Sequence, residues 1–468
     1  MYSRSWDSPQ PSRAVAGLRG RRPRAAIIAA AGVVLAALCA TGCSVSQSRP
    51  APAVKSPSPS TVTAQPPLKW SAVQAPLPAD ADPSQAAAID DAYCPAAGDC
   101  VAVGYYTAGG ASGDVTQGLV ETLAGGTWTP AAFPSVSSKK GIALLDAVDC
   151  PAAGACVVVG DAVNGVTVPV AETLADGRWH SAAPALPGNA EPDGSAFLND
   201  ISCPATGTCI ATGWYTDRSG YREGLLDALS GGTWTAVSAP LPGDAAPEEV
   251  TSPTDTYLTD VACTGGGACV ATGQYRDSDG GTQGVIDTLA GGTWKAAEAP
   301  LPAGAAVPDQ LAAVWAISCP APGTCLAGGH YENSGGQPRY LIETLSNGTW
   351  TASTRPLPAD AAADQEWSEK QSTAVDGIGC QSVSYCVLPV SYVASGGAVV
   401  TKIETLSGGT WTVSGEPLPP NAIAGSKQDG YLGPVSCPAP GSCVTTGGYT
   451  AKNGSTQGLI MTGAGEHG

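Results

Sequence analysis

The chain has 468 residues, with 60 Gly, 40 Pro and only two Phe and two Met. Gly and Pro together make up about a fifth of it, which excludes a coiled coil and a helical membrane bundle and calls for many turns. Forty acidic residues against 22 basic ones exclude a basic nucleic-acid binder.

The first 24 residues hold six Arg and one Asp, and the apolar run AAIIAAAGVVLAALCATGC then ends at Cys43. A basic segment, a short apolar core and small residues before a cleavage point read as a secretory signal over residues 1–43. The apolar part, residues 25–39, is short for a spanning helix. Its ending, ATGC, resembles a bacterial lipobox, with Ala40 where that motif usually has Leu. The resemblance implies that Cys43 becomes a lipidated N-terminus on the outer face of the cytoplasmic membrane. Plain secretion and an uncleaved anchor are the alternatives. Loss of residues 1–43 removes six Arg and Asp7, leaving 16 basic and 39 acidic residues, net −23. Residues 44–68 are rich in Ser, Pro, Thr and Ala and read as an extended tether reaching roughly 75 Å.

Self-similarity dominates the rest. Seven C-x5-C pairs recur: Cys94 with Cys100, Cys150 with Cys156, Cys203 with Cys209, Cys263 with Cys269, Cys319 with Cys325, Cys380 with Cys386 and Cys437 with Cys443. Their first cysteines are 56, 53, 60, 56, 61 and 57 residues apart. Six copies end in a Trp motif, at Trp128, Trp179, Trp234, Trp294, Trp350 and Trp411, and the seventh stops short of one. The missing piece stands at the front: LKWSAVQAPLP around Trp70 matches GTWTAVSAPLP around Trp234. An N-terminal strand that completes the last unit closes a ring and removes two sheet edges.

Each unit carries four short strand candidates; in the fourth copy they read LTDVAC, CVATGQY, GVIDTL and TWKAAEA. The last two are joined by GG, DG or NG, the dipeptides of two-residue hairpins. The expected fold is all-β: a seven-bladed β-propeller of four-stranded blades over residues 69–462, followed by a tail at 463–468. Tandem small two-sheet domains are the rival. C-x5-C spans the first hairpin, so each pair sits across adjacent strands within disulfide range, worth about 2.4 kcal/mol by chain entropy. Zinc would need other spacings, and the chain has only three His; no metal or cofactor is expected.

The run ISCPATGTCIATGWYT and its copies are similar to the SCP…CVAVG repeats of secreted actinobacterial proteins, a propeller-like group, over about residues 69–462. LADGRW, around Asp176 and Trp179, faintly resembles the Asp-box turn of sialidase-type propellers. The other copies carry Gly or Asn there, so the likeness implies a shared turn and not a shared activity.

If the first strand of each unit is innermost, the long, dissimilar loops between units lie on one face with the second-to-third strand turns. Six units carry Tyr in the second strand, Tyr106, Tyr215, Tyr275, Tyr331, Tyr392 and Tyr449, which reads as packing. The preceding position differs in every unit: Tyr105, Asp161, Trp214, Gln274, His330, Ser391 and Gly448. Such a position is either filler or a ring that reads a ligand. Trp315, in a first strand, and Trp367, in a long loop, belong to the same face. The binding candidates are therefore Tyr105, Asp161, Trp214, Gln274, His330, Trp315 and Trp367, aromatic faces for stacking on sugar rings beside polar groups for hydrogen bonds.

Asp91, Asp200 and Asp260 share a position three before the first Cys, where hydrogen bonds to turn amides are expected ahead of a cation ring. RDSDGG, from Arg276, looks like a calcium-loop fragment, but its copies place it in a turn. Glu121, Glu172, Asp227, Asp287, Glu343 and Glu404 recur in the third strand and read as structural. No Ser–His–Asp or H-E-x-x-H signature occurs, and the six Arg of the repeats (Arg178, Arg218, Arg222, Arg276, Arg339 and Arg355) are too scattered for a sialidase-like cluster. The expectation is a monomeric, lipid-anchored binding or scaffold propeller for a cell-surface glycan or protein. A carbohydrate-active hydrolase or lyase of sialidase-like architecture is the alternative.

Changing Cys43→Ala is expected to release the protein from the membrane fraction or to block its maturation. Detergent-dependent membrane association that survives the change would end the lipoprotein reading.

Overall fold

The computed structural model describes residues 67–109, 115–133, 142–163, 165–247, 256–306, 310–363, 365, 373–415, 417–423 and 430–465. Cys43, the signal segment, residues 44–66 of the tether and Trp367 lie outside them, and Leu68 already belongs to a strand. The described strands form seven antiparallel sheets. In blade 4 the strands are Tyr257–Thr264, Ala268–Arg276, Thr282–Ala290 and Thr293–Glu298, in the order and places expected. The inner strands, Ala87–Ala96, Ile142–Ala152, Ala196–Ala205, Tyr257–Thr264, Ala313–Ala321, the pair Ala374–Val375 with Gly379–Ser382, and Gly430–Ala439, contact one another in sequence and close back on the first. The fold is a seven-bladed propeller.

Blade 7 holds only three strands from the C-terminal end of the chain. Its outer strand is the N-terminal Leu68–Gln74, paired antiparallel to Thr456–Gly465 from Leu68 opposite Gly465 to Gln74 opposite Leu459. Trp70 packs there into a cluster with Leu68, Leu459 and Met461. The hairpins between third and outer strands need positive φ at both turn residues, and apart from Gly only Asp176 (52°) and Asn347 (51°) adopt it.

All seven expected disulfides are formed, one per blade. Cys94 is bonded to Cys100, Cys150 to Cys156, Cys203 to Cys209 and Cys263 to Cys269. Cys319 is bonded to Cys325, Cys380 to Cys386 and Cys437 to Cys443. Each joins the inner and second strands of its own blade, with Cα–Cα separations of 4.0 to 4.1 Å.

An inner strand is a sheet edge, so its outward amides have no strand partner. The preceding blade supplies one. Asp91, Asp200 and Asp260 accept the amides of Val148, Val261 and Ile317, each at 2.8 Å. Two residues further on, Asp149, Ser202, Ser318 and Ser436 accept the amides of Cys203, Cys263, Cys380 and Cys94 at 2.6 to 3.1 Å. The three aspartates therefore cap amides of the neighbouring blade, not the turn amides expected from the sequence. Six junctions are bridged this way among the described residues. At the seventh, between blades 6 and 7, backbones touch: a Cβ on Gly377 would meet the Gly433 carbonyl at 2.3 Å, and one on Gly379 the Val435 carbonyl at 2.5 Å. Glycine at both positions is required there.

The third-strand carboxylates are buried, as a structural role demands, but their partners differ. Asp227 accepts the Ala185 amide at 2.8 Å, Glu172 the Ser181 hydroxyl, and Glu404 pairs with Arg355 at 2.6 Å. Glu121, Asp287 and Glu343 are fully buried with no hydrogen-bond partner among the described residues. Ala185 precedes the Leu of a Leu-Pro turn. In the linkers that lead into blades 1, 4 and 5 that residue is Pro76, Pro240 or Pro300, which has no N–H to give. Burial pushes the pKa of each of these three carboxyls up to about 8, so they stay protonated at neutral pH.

Deleting Leu68–Gln74 is expected to destabilise the whole ring, while deleting residues 51–57 of the tether leaves the melting temperature nearly unchanged. Equal losses would count against closure by this strand. A carboxyl whose pKa is raised on folding costs stability as pH rises from its unfolded value, near 4, to its folded value near 8. The melting temperature should therefore fall between pH 5 and pH 8.5. The combined change Glu121→Gln, Asp287→Asn and Glu343→Gln should shrink that fall, measured by calorimetry across the range.

Candidate functional site

Every continuous inner strand carries an irregularity on the same side of its first Cys. The pairing skips Asp90, Asp146, Asn199, Thr259 and Trp315, and in blade 7 it skips Gly433 and Pro434. Blade 6 breaks its inner strand at the same level, between Val375 and Gly379. A β-bulge re-aims one side chain and sharpens the twist. Here the skipped residue varies around a uniform frame, Asp in blades 1 and 2 and another residue in each of blades 3, 4 and 5. Asn199 donates to the Leu258 carbonyl and Thr259 to the Val314 carbonyl, both in the next blade. Trp315 instead sets its ring edge-on to His330, centroids 4.5 Å apart at 75°.

The variable second-strand position lies beside this level, and its register partners are Ala88, Leu144, Phe197, Tyr257, Ala313, Ala374 and Tyr431. In blade 3 Phe197 and Trp214 stack at 6.2 Å with 8° between their planes, and the Arg222 guanidinium lies 4.0 Å over the Trp214 ring. In blade 4 the Tyr257 hydroxyl donates to Gln274 at 3.0 Å. Tyr431 covers Gly448 in blade 7, where a Cβ would come within 2.8 Å of its ring. In blade 6 Ser391 donates to Asp376, whose carboxyl burial raises to about 7. Tyr105, Asp161, Gln274 and His330 are buried, and burial depresses the His330 imidazole to about 3, so it stays neutral. Phe197, Trp214, Tyr257, Trp315 and Tyr431 remain half-buried. Trp214 in blade 3 and Trp315 in blade 5 thus stand at the same end of their sheets, on either side of blade 4, with Phe197, Tyr257 and Arg222 added to them. Phe197 and Tyr257 occupy the second variable column, six residues before the first Cys, and reach the site through its cross-strand pairing, while Arg222 comes from the third strand of blade 3.

The repeated tyrosines do more than pack. Tyr106, Tyr215, Tyr275, Tyr392 and Tyr449 donate their hydroxyls to Asp80, Asn189, Asp244, Asp360 and Asn421 at 2.7 to 3.1 Å. Each acceptor is the fourth residue of a Leu-Pro-x-Asp/Asn turn that enters the blade. Burial and the facing Asp80 push the Tyr106 phenol up to about 12. The RDSDGG turn is held by Asp277, which accepts the amides of Asp279 and Gly281 at 3.0 and 2.7 Å and the Gln283 side chain at 2.8 Å. Asp217 and Asn333 do the same for the backbone amides of their own turns.

No family model and no curated protein matches the chain. Solved structures resemble it faintly. A protein of unknown function from Dyadobacter fermentans is 12% identical, covers 84% of this chain and 98% of its own, and has a TM-score of 0.41. The α-L-arabinanase of Penicillium chrysogenum, complexed with arabinobiose, is 11% identical over 86% of this chain and 98% of its own, with a TM-score of 0.37. A Hadza microbial sialidase is 12% identical over 75% of this chain and 74% of its own, also with a TM-score of 0.37.

Proposed function

We propose that the protein is an extracytoplasmic binding propeller, tethered through a lipid on Cys43, that holds a cell-surface glycan against the aromatic arc of blades 3 to 5. The observation that supports this is the set of half-buried rings Phe197, Trp214, Tyr257 and Trp315, clustered at one end of the three consecutive blades 3 to 5. Flat apolar rings suit the apolar face of a pyranose, and Arg222 and Gln274 beside them suit its hydroxyls. Seven disulfides match an oxidising compartment and keep the frame rigid under the site. The inner-strand carboxylates Asp91, Asp200 and Asp260 are occupied by backbone amides, which favours binding over hydrolysis. Burial and its neighbour Asp260 hold the Asp200 carboxyl well above the usual range.

Retention on immobilised cell-wall or capsular polysaccharide is the measurement. Trp214→Ala is expected to abolish it while the melting temperature stays within a few degrees of the parent. Retention equal to the parent's, or a parent that retains no such glycan, would leave a protein partner as the better reading.

A further inference from the structure

Blade 5 departs from the tyrosine pattern. Its entering turn reads Leu-Pro-Ala-Gly, and Gly304 stands where five other blades place Asp or Asn. Gly304 has φ +90°, the third position of a type II turn, whereas Asp80, Asn189, Asp244, Asp360 and Asn421 have negative φ. The backbone bonds around it are otherwise the same. The Ala305 amide donates to the Pro302 carbonyl at 3.2 Å, and the Ser334 amide to the Gly304 carbonyl at 2.8 Å, as Ser278 does to Asp244 at 2.8 Å. What blade 5 lacks is the side-chain acceptor alone.

Tyr331 is 3% exposed, and its hydroxyl has no hydrogen-bond partner among the described residues. A cleft of about 560 Å³ takes the place of the missing side chain, lined by Gly304, Tyr331, Asn333, Ser334, Arg339 and Arg355. Arg339 is the register partner of Tyr331, where other blades have Gln117, Glu223, Gln283, Val400 or Gln457. Its guanidinium is held by the Pro338 carbonyl at 2.8 Å and by Gln337 at 2.6 Å, and it makes no ion pair among the described residues. Arg355 is neutralised by Glu404 at 2.6 Å and rests 4.2 Å over Trp411. In a chain of net charge −18, a cleft with one unmatched guanidinium and one unmatched tyrosine hydroxyl is built for an anion.

We propose that this cleft binds the carboxylate of a ligand, which takes the position that the aspartate side chain fills in blades 1, 4 and 6. The Tyr331 hydroxyl donates to one carboxylate oxygen, as Tyr275 does to Asp244, and the Arg339 guanidinium neutralises the charge. The carrier is a small carboxylic acid or an acidic sugar of the uronate type. The site uses the second, third and outer strands of blade 5 and does not depend on the aromatic arc.

The test is calorimetric titration of the purified protein with glucuronate, acetate, glucose, inorganic phosphate and sulfate. Three substitutions copy residues or chemistry that other blades already contain. Arg339→Gln matches blades 1, 4 and 7; Gly304→Asp matches the turns of blades 1, 4 and 6; Tyr331→Phe removes only the hydroxyl. Glucuronate and acetate are expected to bind and glucose not to. Arg339→Gln and Gly304→Asp should each weaken carboxylate binding by at least about tenfold, and Tyr331→Phe by a smaller factor; melting temperatures should stay near the parent's for Arg339→Gln and Tyr331→Phe, and fall for Gly304→Asp, whose φ of +90° disfavours a side chain. Trp214→Ala should leave carboxylate binding unchanged, which separates this site from the glycan arc. No carboxylate binding at tens of millimolar, or binding that both Arg339→Gln and Gly304→Asp retain, would overturn the proposal. Phosphate or sulfate binding tighter than either carboxylate would overturn it too, in favour of a tetrahedral oxyanion.

Discussion

The inner edges of the blades set the terms for everything else in this molecule. Seven short strands meet around an axis, and each presents amides that no strand pairs. Leaving such an amide buried and unmet costs on the order of 1–3 kcal/mol. The chain meets them with side-chain oxygens at two positions, one of them at most junctions, as in Asp91 to Val148 or Ser436 to Cys94, and both between blades 3 and 4. Where neither position carries an acceptor, Gly377 and Gly379 let the next backbone come into contact. Six blades cap their successors, the last capping the first, and the seventh junction is closed by backbone contact, so the ring is a mechanical whole. The N-terminal strand on Thr456–Gly465 closes the same circle at its outer edge.

A frame this uniform makes departures informative. The irregularity of each inner strand occurs at one level, a bulge in blades 1 to 5 and 7 and a break in blade 6, and its residues vary around the ring. The same logic applies to the tyrosine caps, where five blades share a hydrogen bond and blade 5 replaces its acceptor by Gly304. Repetition marks what the fold needs, and its interruption marks where the fold has left something for a partner to supply.

The buried third-strand carboxylates qualify that rule. Glu121, Asp287 and Glu343 repeat, yet they lack the partners that Asp227, Glu172 and Glu404 have. A proline just before the Leu-Pro turn, at Pro76, Pro240 and Pro300, explains the loss, since it has no N–H where Ala185 donates to Asp227. These groups are kept neutral by burial, and the cost appears as pH rises.

The sequence by itself determined the number of blades, the four strands in each, the offset of the N-terminal strand, the disulfide pairing and the positive-φ turns. All of these depend on spacings within one unit, or on a match between its two ends, and such spacings survive in one dimension. It also put Trp214 and Trp315 at one end of their blades, because the two columns vary while their neighbours repeat. The tertiary structure decided where Asp91, Asp200 and Asp260 point, because their partners are amides 57 to 61 residues away in another sheet. It decided that Asp227 meets the Ala185 amide while Glu121 is buried with no hydrogen-bond partner among the described residues. It brought Phe197, Tyr257 and Arg222 to the two tryptophans through cross-strand register. It set Gly304, Tyr331 and Arg339 around one cleft, although they come from a loop and two strands. These are contacts between separate strands and separate sheets, and only a closed ring fixes which of them meet.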